Sequence, residues 1–144
     1  MVADSEFLST ILHTYLHKEH HMDCPFCCEI EGRSLKSNEL ADVVLDCYPV
    51  TSGHSLVIPK RHVADYFDLT SHELSAINTL LADQKKQLQT HDSSITGFNV
   101  GINIGEDAGQ TIFHCHVHLI PRRKGDVETP RGGVRGVIPS KQGY

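Results

Sequence analysis

Apolar residues along this chain recur with two different periods, and the switches between them mark the elements. Over residues 5–17, Phe7, Leu8, Ile11, Leu12, Tyr15 and Leu16 recur at helical spacing, with Asp4 or Ser5 as a cap. Residues 40–46 (Leu-Ala-Asp-Val-Val-Leu-Asp) and 54–58 (His-Ser-Leu-Val-Ile) are short runs that predict two strands. Turn residues around Pro49 and Gly53 part them, and Pro59 ends the second. Thr70 with Glu73 forms a capping box and opens a helix to about residue 89, with Leu74, Ile77, Leu80, Leu81 and Leu88 on one side. Phe98, Val100, Ile102 and Ile104 then alternate with Asn99, Gly101 and Asn103, the period of a half-buried strand. After a loop over 105–111, an apolar run from Ile112 to Ile120 predicts a last strand, stopped by Pro121 and paired with the one before it as a hairpin. Four or five antiparallel strands with segregated helices make a single α+β domain over 1–144. It has an extra N-terminal helix in 1–21 and an irregular tail over 121–144.

The last strand carries the chemistry. His114, His116 and His118 alternate with Phe113, Cys115, Val117 and Leu119, so the histidines share one face and the apolar residues take the other, toward a core. Next-but-one imidazoles start roughly 6.7 Å apart on a strand, in a row whose protonation changes near neutral pH. A core gains nothing from three buried imidazoles, each needing partners for two nitrogens. Two readings stay open on these residues alone, a nucleophile row and a three-histidine metal site.

The bulk numbers exclude several classes. No run of about 18 apolar residues exists, so no membrane span is expected, and residues 1–6 lack the basic, apolar start of a signal peptide. A cytoplasmic location follows as the expectation, with the five cysteines reduced. The net charge of −5 is uneven: six cationic residues against Asp126 and Glu128 leave 121–144 at +4 and the preceding 120 residues at −9. Such a domain does not coat nucleic acid, although Arg122 and Arg123 beside the histidine strand suit a small polyanion.

Cys24 and Cys27 form a Cys-x-x-Cys in a knuckle-like loop, with Cys28 next to them. In a reducing compartment that spacing is a metal or redox motif, and no βαβ unit supports the redox reading. His13, His17 and His21 stand at i, i+4, i+8 of the first helix, but without further ligands they read as a wet face.

His114-Cys-His-Val-His-Leu-Ile120, the block 53–62 (Gly-His-Ser-Leu-Val-Ile-Pro-Lys-Arg-His) and the block from Asn103 to Thr111 together resemble the histidine triad (HIT) family of nucleotide hydrolases and transferases, over roughly residues 24–125. The Gly-Gln-Thr block and the exit Pro121-Arg122-Arg123-Lys124-Gly125-Asp126 are similar to the Fhit and bacterial dinucleoside-polyphosphate hydrolase branches; the Cys24–Cys27 knuckle is similar to bacterial members that carry a structural zinc. The resemblance implies a five-stranded antiparallel sheet with two main helices, dimerising into a continuous sheet.

It further implies a hydrolase that cleaves a dinucleoside polyphosphate or related AMP conjugate at the α-phosphate, with no organic cofactor. His116 would attack phosphorus and form a nucleotidyl-imidazole, which water then cleaves. His118 and His54 would hold the phosphate oxygens, Gln110 and Thr111 the bridging oxygen and leaving group, Asn103 the phosphates and Asp46 the ribose hydroxyls. Cys24, Cys27, His62 and His114 would enclose the zinc, with Cys28 as a substitute for Cys27. The alternatives are a nucleotide-binding regulatory module with little turnover, a nucleoside phosphoramidate hydrolase, and a zinc-stapled interaction protein with an idle triad.

Overall fold

The computed structural model describes residues 23–144. The helix expected over 5–17 and its three histidines lie outside the described residues. One antiparallel sheet of five strands organises the rest: β1 (Lys36–Ser37), β2 (Ala41–Leu45), β3 (Ser55–Pro59), β4 (Ile95–Gly101) and β5 (Val117–Arg123), in the order β1-β2-β3-β5-β4. Two helices join it, α1 (Pro25–Cys28), a single turn, and α2 (Ser71–His91). No helix of the described residues is long and apolar enough to cross a membrane.

Directly opposed residues of an antiparallel sheet share a face, so the register sorts the two sides. Val43 faces Val57, which faces Val117, and this row packs with Ile77 and Leu80 of α2 into the main core. Val44 faces Leu56, which faces His118, on the opposite side, where Phe26 and Ile30 cover a second cluster with Ile58. The β-branched residues of β2 and β3 suit strands buried on both faces.

The capping box forms as expected: Thr70 Oγ1 accepts from Glu73 N–H while the Glu73 carboxylate accepts from Thr70 N–H. The buried stripe of α2 is less apolar than its sequence suggests, because Glu73 and Gln84 share it with Ile77 and Leu80. Arg61 meets Glu73 with two bonds of 2.8 Å, and Gln84 Nε2 donates to Ser55 Oγ at 3.0 Å.

The histidine strand differs from its expectation at both ends. The ladder begins only at Val117, so His114 and His116 precede the strand, and it runs through Pro121 to Arg123. Pro59 explains the late start: it has no N–H to donate, and its carbonyl accepts from the His114 ring instead of from a strand. Pro121 is tolerated because β3 stops pairing with β5 at Leu119, so its missing N–H breaks no bond to β3. Phe113, expected in the core, is 53% exposed. β4 lies earlier than the alternation suggested, and residues 102–104 belong to the following loop. The tail after Arg123 holds no strand or α-helix, but two short 3₁₀ turns form at Gly133–Val137 and Pro139–Lys141.

Candidate active site

Turn 51–54 presents His54 at the head of β3. Gly53 sits there at φ +88°, and a Cβ on it would lie 2.9 Å from Leu88 Cδ2, so only glycine fits. His54 is 3% exposed, and its Nδ1 accepts from Val50 N–H at 3.2 Å. A backbone N–H can only donate, so the neutral ring carries its proton on Nε2. That atom lies 2.9 Å from His118 Nδ1 and 3.4 Å from Asp46 Oδ2. The proton order therefore runs from Val50 through His54 to His118, which leaves the His118 proton on Nε2, buried and without a partner among the described residues. Asp46 closes the triangle at 3.9 Å from His118 Nδ1, while its Oδ1 accepts from Tyr48 N–H.

His116 has the opposite tautomer. Its Nδ1 lies 2.8 Å from the carbonyl of His114, an acceptor only, so in the neutral ring Nδ1 holds the proton and Nε2 the lone pair. The ring is 8% exposed and stands 5.1 Å from both the His118 ring and the Phe26 ring, edge-on to each. Burial, with His116 and His54 beside it, lowers the His118 pKa to about 4 against the pull of Asp46; burial lowers His54 as well. At neutral pH both rings are uncharged N–H donors.

Four ligand atoms of Cys24, Cys27, His62 and His114 lie within 4.8 Å of one another. Pro25 at the first position of α1 winds a turn that brings the two sulfurs together. His114 Nδ1 is 3.5 Å from each sulfur, and His62 Nδ1 is 3.2 Å from Cys27 Sγ. In a tetrahedral zinc site, bonds of about 2.3 Å to sulfur and 2.0–2.1 Å to nitrogen imply S···N edges of about 3.5 Å. His114 Nε2 donates to the Pro59 carbonyl at 2.8 Å, which frees Nδ1 for a metal in the way ligand histidines usually are held. Partial burial of its sulfur, then the Cys24 thiol, push the Cys27 thiol up to about 12, a cost that a cation would reverse. Cys28 is exposed and outside this cluster.

The other expected residues divide. Asn103 joins His54 and His118 around one cavity, and Asp46 joins their triangle. Gln110, expected at the phosphates, is 4% exposed and spends its carboxamide on the loop: Oε1 accepts from Gly105 N–H, and Nε2 donates to the Ala64 and Ile112 carbonyls. Thr111 is exposed and lines a cleft beside Cys24 and His62. Arg122 is held by two bonds to Asp126 and one to Asn99 Oδ1, so its charge is already met. Phe26 and Val50 were missed by the sequence reading. The position of Phe26 between the two knuckle cysteines could have flagged it, whereas nothing in the sequence marks the Val50 N–H.

A family model described as HIT domain matches residues 28–125. An uncharacterized 16.1 kDa HIT-like protein of Mycoplasma pneumoniae is 38% identical over 104 residues, 69% of this chain and 72% of that protein. A protein named AP-4-A phosphorylase from Mycobacterium tuberculosis is 37% identical over 122 residues, 81% of this chain but 60% of its own length. Among solved structures, a Zn-bound histidine triad family protein of Mycobacterium smegmatis superposes with a TM-score of 0.68 at 33% identity, covering 75% of this chain and 81% of that one.

Proposed function

The chain belongs to the HIT domain family, and from that premise we propose that it hydrolyses a nucleotide at its α-phosphate, the substrate being a dinucleoside polyphosphate or another AMP conjugate. The observation that carries this reading is the tautomer of His116: with Nδ1–H tied to the His114 carbonyl, the Nε2 lone pair is free beside an N–H donor, His118. A neutral imidazole is a good nucleophile toward phosphorus.

Nε2 of His116 bonds to phosphorus, and the bond to the leaving group breaks. His118 takes up a second proton from solvent as the anionic substrate binds beside it and raises its proton affinity; the leaving atom keeps the electron pair of the broken bond and takes that proton from the His118 imidazolium. A water then adds to phosphorus and gives a proton back to His118, the N–P bond breaks, and a nucleoside monophosphate departs. His54 and Asp46 position His118, Asn103 supplies a neutral donor to the phosphate oxygens, and the Asp46 carboxylate suits two vicinal ribose hydroxyls. Gln110 and Arg122 are given no part in this scheme, since the carboxamide of Gln110 braces the loop around Gly105 and three N–H groups of Arg122 go to Asp126 and Asn99.

The four-ligand cluster is proposed as a structural zinc site, on the support of its S···N spacings, its thiolate and imidazole donors and the Zn-bound relative. When bound there, zinc supplies folding free energy and no open coordination position. The same reading takes the protein as one cytoplasmic domain that pairs with a second copy; β4 is an edge strand, with Val100 49% exposed. The test is release of nucleoside monophosphate from diadenosine polyphosphates and from adenosine phosphoramidates. Tight nucleotide binding with no release from any of them would favour a binding module instead.

A further inference from the structure

Gly53 gives the His54 turn its shape and also its weakness. At φ +88° it occupies a region that glycine enters freely, and a residue without a Cβ leaves that region as readily. Something else must therefore hold the peptide that carries the His54 ring. Both polar groups of that peptide are bonded: His54 N–H donates to the Thr51 carbonyl at 3.1 Å, and the Gly53 carbonyl accepts from Ser55 Oγ at 2.9 Å. Two further bonds reach the turn, from Thr51 Oγ1 to the Pro121 carbonyl and from Arg123 to the Ser52 carbonyl, but neither touches the Gly53–His54 peptide.

The Ser55 bond is tied in turn to the far side of the sheet. Successive residues of a strand face opposite sides, so Ser55, opposed by Leu45 and Leu119 and fully buried, looks toward α2 while His54 faces His118. There Gln84, also buried, donates from Nε2 to Ser55 Oγ at 3.0 Å. A hydroxyl has one hydrogen, and with Gln84 donating to the oxygen that hydrogen goes to the Gly53 carbonyl. The arrangement leaves Gln84 Oε1 buried with no partner among the described residues. A leucine in this stripe, beside Ile77 and Leu80, would carry no such cost. Stability alone therefore does not account for a carboxamide there.

We propose that Ser55 and Gln84 are positioning residues for the reaction: through the Gly53 carbonyl they hold the His54 ring where its Nδ1 meets Val50 N–H and its Nε2 meets His118. The tolerance is small. The Val50 bond is 3.2 Å long, at the outer limit for such bonds, so a slight swing of the Gly53–His54 peptide releases it. Once released, the His54 ring is no longer confined to one tautomer. Its 2.9 Å contact with His118 Nδ1 then no longer fixes the ring that gives the leaving atom its proton. Misplacing a reacting group by about 1 Å costs up to roughly 10²-fold in rate. The effect on rate rests on the α-phosphate hydrolase reading; the effect on the His54 tautomer does not.

Ser55→Ala, Gln84→Leu and the double variant test it in the full chain. Turnover is measured on whichever of diadenosine tetraphosphate and adenosine 5′-phosphoramidate the wild type cleaves, and the His54 tautomer is read by NMR of its ring nitrogens. Ser55→Ala strands the Gln84 amide, so both melting temperature and kcat should fall. The double variant removes the stranded amide, so its melting temperature should return toward wild type. Its kcat should nevertheless stay roughly tenfold low or lower, with KM little changed, and its His54 proton should be shared between Nδ1 and Nε2. Recovery of kcat along with stability, or a wild-type tautomer in the double variant, would overturn the inference and leave the hydrolase reading standing. Gln84→Leu alone keeps the hydroxyl but not its direction, and should mix the tautomers to a smaller extent. Should the variants at Ser55 fail to fold, an unmixed His54 in Gln84→Leu overturns the inference by itself. If the wild type cleaves neither compound, the hydrolase reading falls, and the ring nitrogens still decide whether Ser55 and Gln84 hold His54.

Discussion

His114 turns its Nδ1 to the sulfurs of Cys24 and Cys27, whereas His118, further along the same segment, turns the same atom to His54. The difference comes from what holds the second nitrogen. Pro59 accepts the Nε2 proton of His114, so the facing atom is a lone pair and can bind a metal. Val50 N–H occupies the lone pair of His54 Nδ1, so the atom facing His118 carries a proton. Asp46, His54 and His118 are close enough to suggest a second metal site. Yet a metal on His54 Nε2 would have to displace that proton with no acceptor on the other side of the ring. The donors of one cluster suit a cation and the proton order of the other suits proton transfer, and a backbone group makes the difference in each case.

On the proposed function catalysis belongs to one cluster and stability to the other, so variants should separate them. His116→Ala should lower turnover by roughly 10⁴-fold, about 5.5 kcal/mol, with the fold intact by circular dichroism. His118→Ala should lose about 10²–10⁴-fold, the range for a general acid, and still bind nucleotide by calorimetry. Retention of a tenth of wild-type rate by His116→Ala would remove covalent catalysis from the account.

Chelation should act on the other axis. Removing the metal, or Cys24→Ser, should lower the melting temperature by roughly 10 °C, with near-normal turnover per folded molecule in the cold. Cys28→Ser should keep full metal content. Reversible loss of turnover in a still-folded, metal-free protein would move the metal into the reaction.

Acid should probe the proton-holding cluster. The fold favours neutral His118, whose pKa of about 4 lies below the ordinary value near 6.5. Its contribution, about 3 kcal/mol at most, is whole above pH 6.5 and is lost as pH falls from there toward 4. Urea melts across that range should show the loss, and His118→Gln should flatten it. Equal slopes in both proteins would contradict the assignment. The smallest effect is expected at Gln110→Ala. It leaves the Gly105 N–H and the Ala64 carbonyl unpaired, for about 1–3 kcal/mol in denaturant melts, with little change in KM.

The parts of this arrangement that repeat along the chain were legible in it. The capping box placed α2, and β-branched runs placed β2 and β3 to within a residue or two. The resemblance brought together the four metal-type ligands and the pair His54 and His118. What the sequence hid depends on partners that pattern does not encode. Gln110 is as polar in a loop brace as at a phosphate, and Arg122 is as basic paired as free; only the positions of Gly105 and Asp126 tell them apart. The alternation His-Cys-His-Val-His promised one regular strand, but Pro59 ends the neighbouring ladder and leaves His114 and His116 outside it. The valines of the tail carry no periodicity at all, so their place beside the histidines appears only in three dimensions.

The assignment of His116 as nucleophile is tested most directly by rapid quench of a single turnover with an adenosine 5′-phosphoryl conjugate, followed by mass analysis of the whole protein and of its peptides. The account predicts a transient, acid-labile adduct of one nucleotidyl group per chain, mapped to His116 and absent from His116→Ala. Steady turnover with no adduct at any quench time, or an adduct on another residue, would contradict it.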